Sequence, residues 1–121
     1  MKKEQLLSIS DEIAAKQVEL SRMIEGLLQA SLREYAAQTG KHSVDFDYEN
    51  GDAPSCTYNG YEDLTDAYIT RVTFDDNGKI KKMYGYAYYK QELIEDLNGN
   101  CFENELWKID LANAVIALLD Y

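Results

Sequence analysis

The most regular feature of the chain is a seven-residue recurrence near its start, where Leu6, Ile13, Leu20 and Leu27 share a stripe with Ile9, Met23 and Ile24 beside it. That spacing predicts one long helix from about Ser10 to Gln38. Ser8 and Ser10 stand where N-cap side chains belong, Asp11 and Glu12 follow where a helix N-terminus favours acids, and Thr39-Gly40 supplies a stop. A strict heptad would make a supercoiled rod, but Lys16 interrupts its second row, and Val18, Leu28, Leu32 and Tyr35 fall outside it. The apolar face is therefore wide and drifting, which favours a straight helix laid on a sheet, with an apolar edge left over for a second copy. Gly26, inside the helix, costs about 1 kcal/mol relative to Ala and predicts either the close approach of another backbone or a slight bend.

After Gly40 the period becomes two. Val44, Phe46 and Tyr48 alternate with Asp45, Asp47 and Glu49, which predicts a half-buried strand with one acidic face. Asn50-Gly51-Asp52 is a turn, a short strand follows around Ser55 to Tyr58, and Asn59-Gly60 turns the chain again. The clearest hairpin runs from Ala67 to Phe74, across Asp75-Asp76-Asn77-Gly78, and back from Lys79 to Tyr89. Gln91 to Leu97 reads as a short helix, with a further strand as the alternative. Asn100 followed by Phe102, Leu106, Ile109, Ile116 and Leu119 predicts a C-terminal helix to about Asp120. A competing reading makes Phe102 to Ile109 a strand and begins the helix at Asp110. The expected fold is α+β: a long N-terminal helix, an antiparallel sheet of three to four strands with the hairpin at its centre, and a C-terminal helix on the same face as the first. Residues 1–121 are read as a single domain.

Composition changes this picture little. An apolar fraction of 45% is enough for a packed core. No apolar run approaches the roughly 20 residues of a membrane span, and the start is amphipathic, so the expected location is cytoplasmic, without a membrane partner. Cys56 and Cys101 have no paired spacing and read as reduced thiols, with a single bridge as the alternative.

Charge changes it more. With 22 acidic and 12 basic side chains the formal charge is −10, which opposes any direct role on nucleic acid or anionic lipid. The excess is uneven: from Lys41 to Arg71 no other Lys or Arg occurs, while Asp45, Asp47, Glu49, Asp52, Glu62, Asp63 and Asp66 all fall between them. Two readings compete, a solubilising coat and a contact surface for a basic partner.

Candidate chemistry is sparse. His42, the sole histidine, adjoins Ser43 on an extended segment where neighbouring side chains diverge, so it reads as a loop residue. Cys56, Cys101 and His42 lack zinc-ligand spacing. The stretch from Asp45 resembles a calcium loop only superficially, since its glycine, Gly51, comes one position late and Cys56 stands where the bidentate acid belongs. No phosphate-binding or nucleophile-elbow motif occurs, and the expectation is a non-enzyme with no catalytic residues, no metal and no cofactor. Tyr84, Tyr86 and Tyr88 share one strand face opposite Met83, Gly85, Ala87 and Tyr89; they read as sheet tyrosines lying under a helix with wet hydroxyls, with a protein-contact surface as the alternative.

The leading expectation is a small acidic binding or inhibitor protein whose seven acids between Asp45 and Asp66 dock a basic protein site as a charge mimic, in the manner of a phage or mobile-element anti-defence protein. The alternatives are a small-ligand module with a Tyr-lined pocket between sheet and helix, and an assembly subunit. A homodimer is expected through Leu6, Ile9 and Ile13, because a helix of this length overhangs a body of this size.

Overall fold

The computed structural model describes residues 2–59, 65–88, 91–97, 101–102 and 106–120, and within the first helix it leaves the side chains of 13–18 undescribed. The fold is α+β. Helix α1 (Lys3–Thr39) leads into strands β1 (Ser43–Asp45), β2 (Ser55–Tyr58), β3 (Thr65–Phe74), β4 (Ile80–Ala87), β5 (Glu92–Ile94) and β6 (Cys101–Phe102), and the described chain closes with α2 (Leu106–Ile116). Among the described residues no helix is long and apolar enough to cross a membrane.

Helix α1 begins seven residues before Ser10, since nothing between Lys3 and Ile9 opposes a helix and Glu4, Gln5, Leu6 and Leu7 favour one. Its first turn is closed by the Lys2 backbone N–H donating to Gln5 Oε1 at 3.1 Å, so Ser8 and Ser10 lie inside the helix and do not cap it. It stops where expected, at Gly40, whose φ of 73° lets its N–H reach the Ala36 carbonyl at 2.8 Å. The face that meets the body is Ile24, Leu28, Ser31 and Leu32, with Tyr35 and Ala36 at its margin. Ser31 is buried at no polar cost, because its hydroxyl donates to the Leu28 carbonyl at 2.7 Å.

Among the described residues the sheet has six strands, against the three to four expected, five of them in the order β5-β4-β3-β2-β6 and β1 off that path beside β3. The β3–β4 hairpin is at its centre, as its Asn-Gly turn predicted. Both β1 and β2 pair with β3 antiparallel, β1 against its C-terminal half (Val44 opposite Val72) and β2 against its N-terminal half (Cys56 opposite Ala67). They therefore lie end to end along one edge, and residues 46–54 leave that edge as an excursion. Phe46 N–H donating to Thr70 O (2.9 Å) and Ile69 N–H donating to Pro54 O (2.7 Å) fasten its two ends.

Residues 91–97 do not form the short helix. Gln91 takes a φ of 50° and turns the chain, and Glu92–Ile94 pairs with the exposed edge of β4, which supplies backbone partners that a one-turn helix would lack. The C-terminal helix starts later than Asn100 because Cys101 and Phe102 pair with Tyr58 and Thr57; Asn100 itself lies outside the described residues. The strand alternative for Phe102 to Ile109 is corrected too, since Leu106 already begins α2. Of α2, the buried residues are Leu111, Ala112 and Val115, whereas Leu106 is 60% exposed.

One face of the sheet carries both helices: Ala67, Ile69, Val72, Phe74, Met83 and Ala87 share a core with Leu28 and Leu32 of α1 and Leu111 and Val115 of α2. The helices run side by side in the same sense, tied by Lys108 Nζ to Glu25 Oε2 (3.0 Å) near one end and by reciprocal Gln38–Asp120 hydrogen bonds at the other. Burial pushes the Glu25 carboxyl up, but hydrogen bonds from Lys108 and Gln29 and the Lys108 charge outweigh it and leave the carboxyl below its ordinary range.

The close backbone approach expected at Gly26 is absent, for a Cβ there would have no atom within 4 Å. It occurs instead at Gly78 in the hairpin turn, where a Cβ would come 2.2 Å from the Gln29 carbonyl oxygen. Arg33 Nη1 donates to Asn77 O beside it at 3.0 Å. Gly51 and Gly78 share a φ of 78°, but Gly51 faces open space. Gly51→Ala should therefore lose only the left-handed penalty of about 1 kcal/mol, whereas Gly78→Ala should lose that and roughly 1–3 kcal/mol more as turn and helix are forced apart. Equal losses in denaturant unfolding would mean that the turn does not lean on α1.

Candidate functional site

The sheet's second face carries no described helix, and tyrosines of the central hairpin are its largest side chains. Strand alternation sends Tyr84 and Tyr86 of β4 to this side together with Tyr68 of β3, which lies directly opposite Tyr86, and Tyr88, just past the end of β4, meets Tyr68 there. Leu93 of β5 is opposite Tyr86 on the other flank and is 76% exposed; Tyr88 is 60% exposed. The face expected to lie under a helix is thus the open one. Tyrosines expected to line a pocket between sheet and helix lie on the opposite side from both helices.

The excursion of residues 46–54 explains how the acidic segment meets this face. Strand β1 ends at Asp45, so the alternation predicted through Glu49 breaks: Val44 and Phe46 are buried, but Tyr48 does not follow them inward. Its ring lies 4.9 Å from that of Tyr68 and 4.8 Å from that of Tyr86, as a clasp over the outer face. Tyr68 and Tyr88 make an edge contact at 6.5 Å. Burial first, then the neighbouring phenols of Tyr68, Tyr86 and Tyr88, push the Tyr48 phenol above its ordinary value.

The predicted acids divide by what they do. Asp45 is engaged, its Oδ1 accepting from Arg71 Nε at 2.6 Å. Asp47 folds the excursion: its Oδ1 accepts the backbone N–H groups of Glu49 (3.0 Å) and Asn50 (3.4 Å), and its Oδ2 accepts from the Asn50 amide at 2.6 Å. Asp45, Asp47 and Glu49 are therefore not one row of strand side chains, because the chain turns at Asp47. Glu49 and Asp52 are exposed on the excursion, and Asp66 is exposed on the tyrosine side of β3, its carbonyl accepting the Tyr88 N–H at 3.3 Å. Glu62 and Asp63 lie outside the described residues.

The face is consequently polarised. At the Tyr68, Tyr86 and Tyr88 end stand Glu49, Asp52 and Asp66; at the other end Arg71 pairs with Asp45, and Lys82 Nζ sits 5.2 Å from the Tyr84 ring centre. His42, read as a loop residue, is 47% exposed in its side chain and meets Asp76 at 2.8 Å. Among the described residues there is no group of three or more His, Cys, Asp or Glu side chains placed to hold a metal ion.

On α1, Leu6 (55% exposed), Ile9 (45%), Leu20 (57%) and Met23 (66%) have no cover, so the expected contact residues Leu6 and Ile9 are free apolar surface. Ile13, the third of them, lies outside the described side chains. The seven-residue stripe and the body-facing stripe are different faces of one helix, the second being Ile24, Leu28 and Leu32.

Sequence reasoning noticed the tyrosine ladder and assigned it to the interior. The signal it could have used is that the opposite parity, Met83, Gly85 and Ala87, is smaller and less polar and makes the better floor for helices.

Difference titration of the wild type against Tyr48→Phe should isolate a phenol that ionises above the ordinary value of about 10. With its folded pKa raised, the clasp is fully in place below that value and is lost as pH rises through it; a difference signal at the ordinary pKa would mean that Tyr48 is not packed on Tyr68 and Tyr86. Comparisons with protein-family models, with curated proteins and with solved structures give no match, and the functional reading rests on this face alone.

Proposed function

We propose that the chain is a protein-binding module whose contact surface is the acid-rimmed tyrosine face, and that its partner presents a basic site. The observation that carries this is the cluster of half-exposed Tyr48, Tyr68 and Tyr86 with exposed Tyr88, which no described helix covers, together with exposed Glu49, Asp52 and Asp66. Tyrosines are favoured at the centres of protein interfaces because a large ring is immobilised at little entropic cost while its hydroxyl still finds a polar partner. The acids add long-range attraction and orientation for a cationic partner, which speeds encounter more than it deepens affinity. A basic groove that otherwise receives nucleic acid has this chemistry, so the charge-mimic inhibitor remains the proposed type. Neither feature requires catalysis, a metal or a cofactor.

The two contributions separate by experiment. Charge reversal at Glu49, Asp52 and Asp66 should spare the fold, since exposed positions usually move stability by about half a kcal/mol or less. It should slow association with a basic partner and flatten its salt dependence. Asp45 and Asp47 are poor choices, as they hold Arg71 and the excursion. Tyr88→Ala and Leu93→Ala should instead speed dissociation, with a loss of about 1–3 kcal/mol for a central aromatic. Partners recovered with the wild type from its native host provide the binding assay; equal retention of those partners by the charge-reversed and Tyr88→Ala chains would sink the proposal.

A second surface favours a second reading, self-association through α1. Burying a half-exposed Leu, Ile or Met contributes about 1 kcal/mol, so Leu6, Ile9, Leu20 and Met23 on each of two helices together contribute about 8 kcal/mol, which is comparable with an association cost of roughly 4–15 kcal/mol and leaves little surplus. The dimer should be weak and concentration-dependent. Sedimentation across a wide concentration range should show it, and Leu20→Lys should abolish it; a monomer throughout, unaffected by the substitution, removes this reading while leaving the first intact.

A further inference from the structure

The two cysteines, 45 residues apart in sequence, meet where β2 pairs with β6. Cys101 is opposite Tyr58, and Cys56 shares the inward face with Tyr58, so both sulfurs lie on one side of the sheet at a diagonal. Both are free thiols, and their Sγ atoms are 2.8 Å apart. Cys56 is buried at 7% exposure, while Cys101 is half-buried and is the one a small reagent reaches.

We propose that Cys56 and Cys101 are a modification site: exposed to a low-molecular-weight disulfide such as oxidised glutathione, they join as a reversible intramolecular disulfide. The strands already hold the sulfurs to within about 1 Å of bonding distance. The Cys101 thiolate attacks one sulfur of oxidised glutathione, breaking its S–S bond and releasing one glutathione thiolate. The Cys56 thiolate then attacks Cys101 Sγ and expels the second. Two protons leave the protein thiols and two are taken up by the glutathione thiolates, so the protein loses two electrons and oxidised glutathione gains them. The hydrogen bond shared with Cys56, followed by burial, pushes the Cys101 thiol up, so its thiolate is scarce near neutrality. The reaction is therefore slow there and accelerates as pH rises.

The bond has a structural consequence. The loop it closes contains β3, β4 and β5, and β6 is the last strand before α2, so the crosslink ties the chain entering the C-terminal helix to the body of the sheet. Restricting so long a loop in the unfolded chain raises the thermal midpoint by roughly 10 °C or more.

The test uses the full chain, reduced and then incubated with oxidised glutathione at mildly alkaline pH, quenched with iodoacetamide and mapped without reduction. The expected product is lighter by two hydrogens, carries no alkyl group, yields one peptide pair joined through Cys56 and Cys101, and melts higher until a reductant is added. Cys56→Ser should stop at a glutathione adduct on Cys101, and Cys101→Ser should show no change of midpoint. Full alkylation of both thiols in the wild type, a lasting adduct without the crosslink, or a bridge between two chains would each overturn the proposal, and the wild-type result decides even if a variant does not fold.

Discussion

One core must serve the whole molecule, and it is one-sided. Leu28 and Leu32 of α1 and Leu111 and Val115 of α2 are used up against a single face of the sheet. Two apolar surfaces among the described residues are what this core leaves uncovered: the tyrosine face behind it, and the side of α1 that carries Leu6, Ile9, Leu20 and Met23. The core also sets the position of the hairpin turn, because α1 can lie this low on β3 and β4 only where the turn presents Gly78 to Gln29. A side chain at Gly78 would push turn and helix apart at Gln29 and strain the packing of Leu28 beside it. The interior is therefore gated by a backbone contact that contributes little attraction of its own.

How much of this was legible in the sequence depended on the range of the interaction involved. The hairpin could be read because Asp75 and Gly78 act within a few residues: Asp75 Oδ1 accepts the N–H groups of Asn77 and Lys79 at 2.9 Å, and Gly78 supplies the positive φ. The stop of α1 was legible for the same reason. Residues 91–97 were legible only as a choice between a short helix and a further strand, and the edge of β4, which no local pattern announces, decides it for the strand Glu92–Ile94. Gly26 misled because a glycine in a helix has no single meaning, whereas the glycine that matters is marked as a turn residue and reveals its contact only in three dimensions.

The candidate surface was half legible. Period two in residues 44–49 correctly buried Val44 and Phe46, but it could not report that β1 stops at Asp45 and that Asp47 folds the next residues back on themselves. Because of that turn, Tyr48 changes sides. A pattern argument assigns residues to faces only while the strand lasts, and here two strands share an edge with a gap between them. Nor could pattern distinguish which side of the hairpin the helices would choose. Both sides carry apolar atoms, and the helices lie on the side with Ala67, Met83 and Ala87, where Leu97 packs over Gly85.

The magnitude of charge repulsion decides how the acidic segment should be understood. Two exposed carboxylates about 8 Å apart repel by only about half a kcal/mol in water, and salt at physiological strength reduces that further. Such a cost requires no compensation, so the density of acids from Asp45 to Asp66 cannot be argued from stability. Two of the acids are in any case occupied, Asp45 by Arg71 and Asp47 by its own excursion. Of the described acids, Glu49, Asp52 and Asp66 are exposed and act outward. Summed over a face on which the described cations, Arg71 and Lys82, stand at the far end, they give the tyrosine cluster a field that a distant cationic surface feels before any ring makes contact. The excursion thus has a double effect on the same surface. Tyr48 fixes the rings in place, and the turn that carries it sets Glu49 and Asp52 beside them, so that short-range apolar contact and long-range attraction belong to one loop.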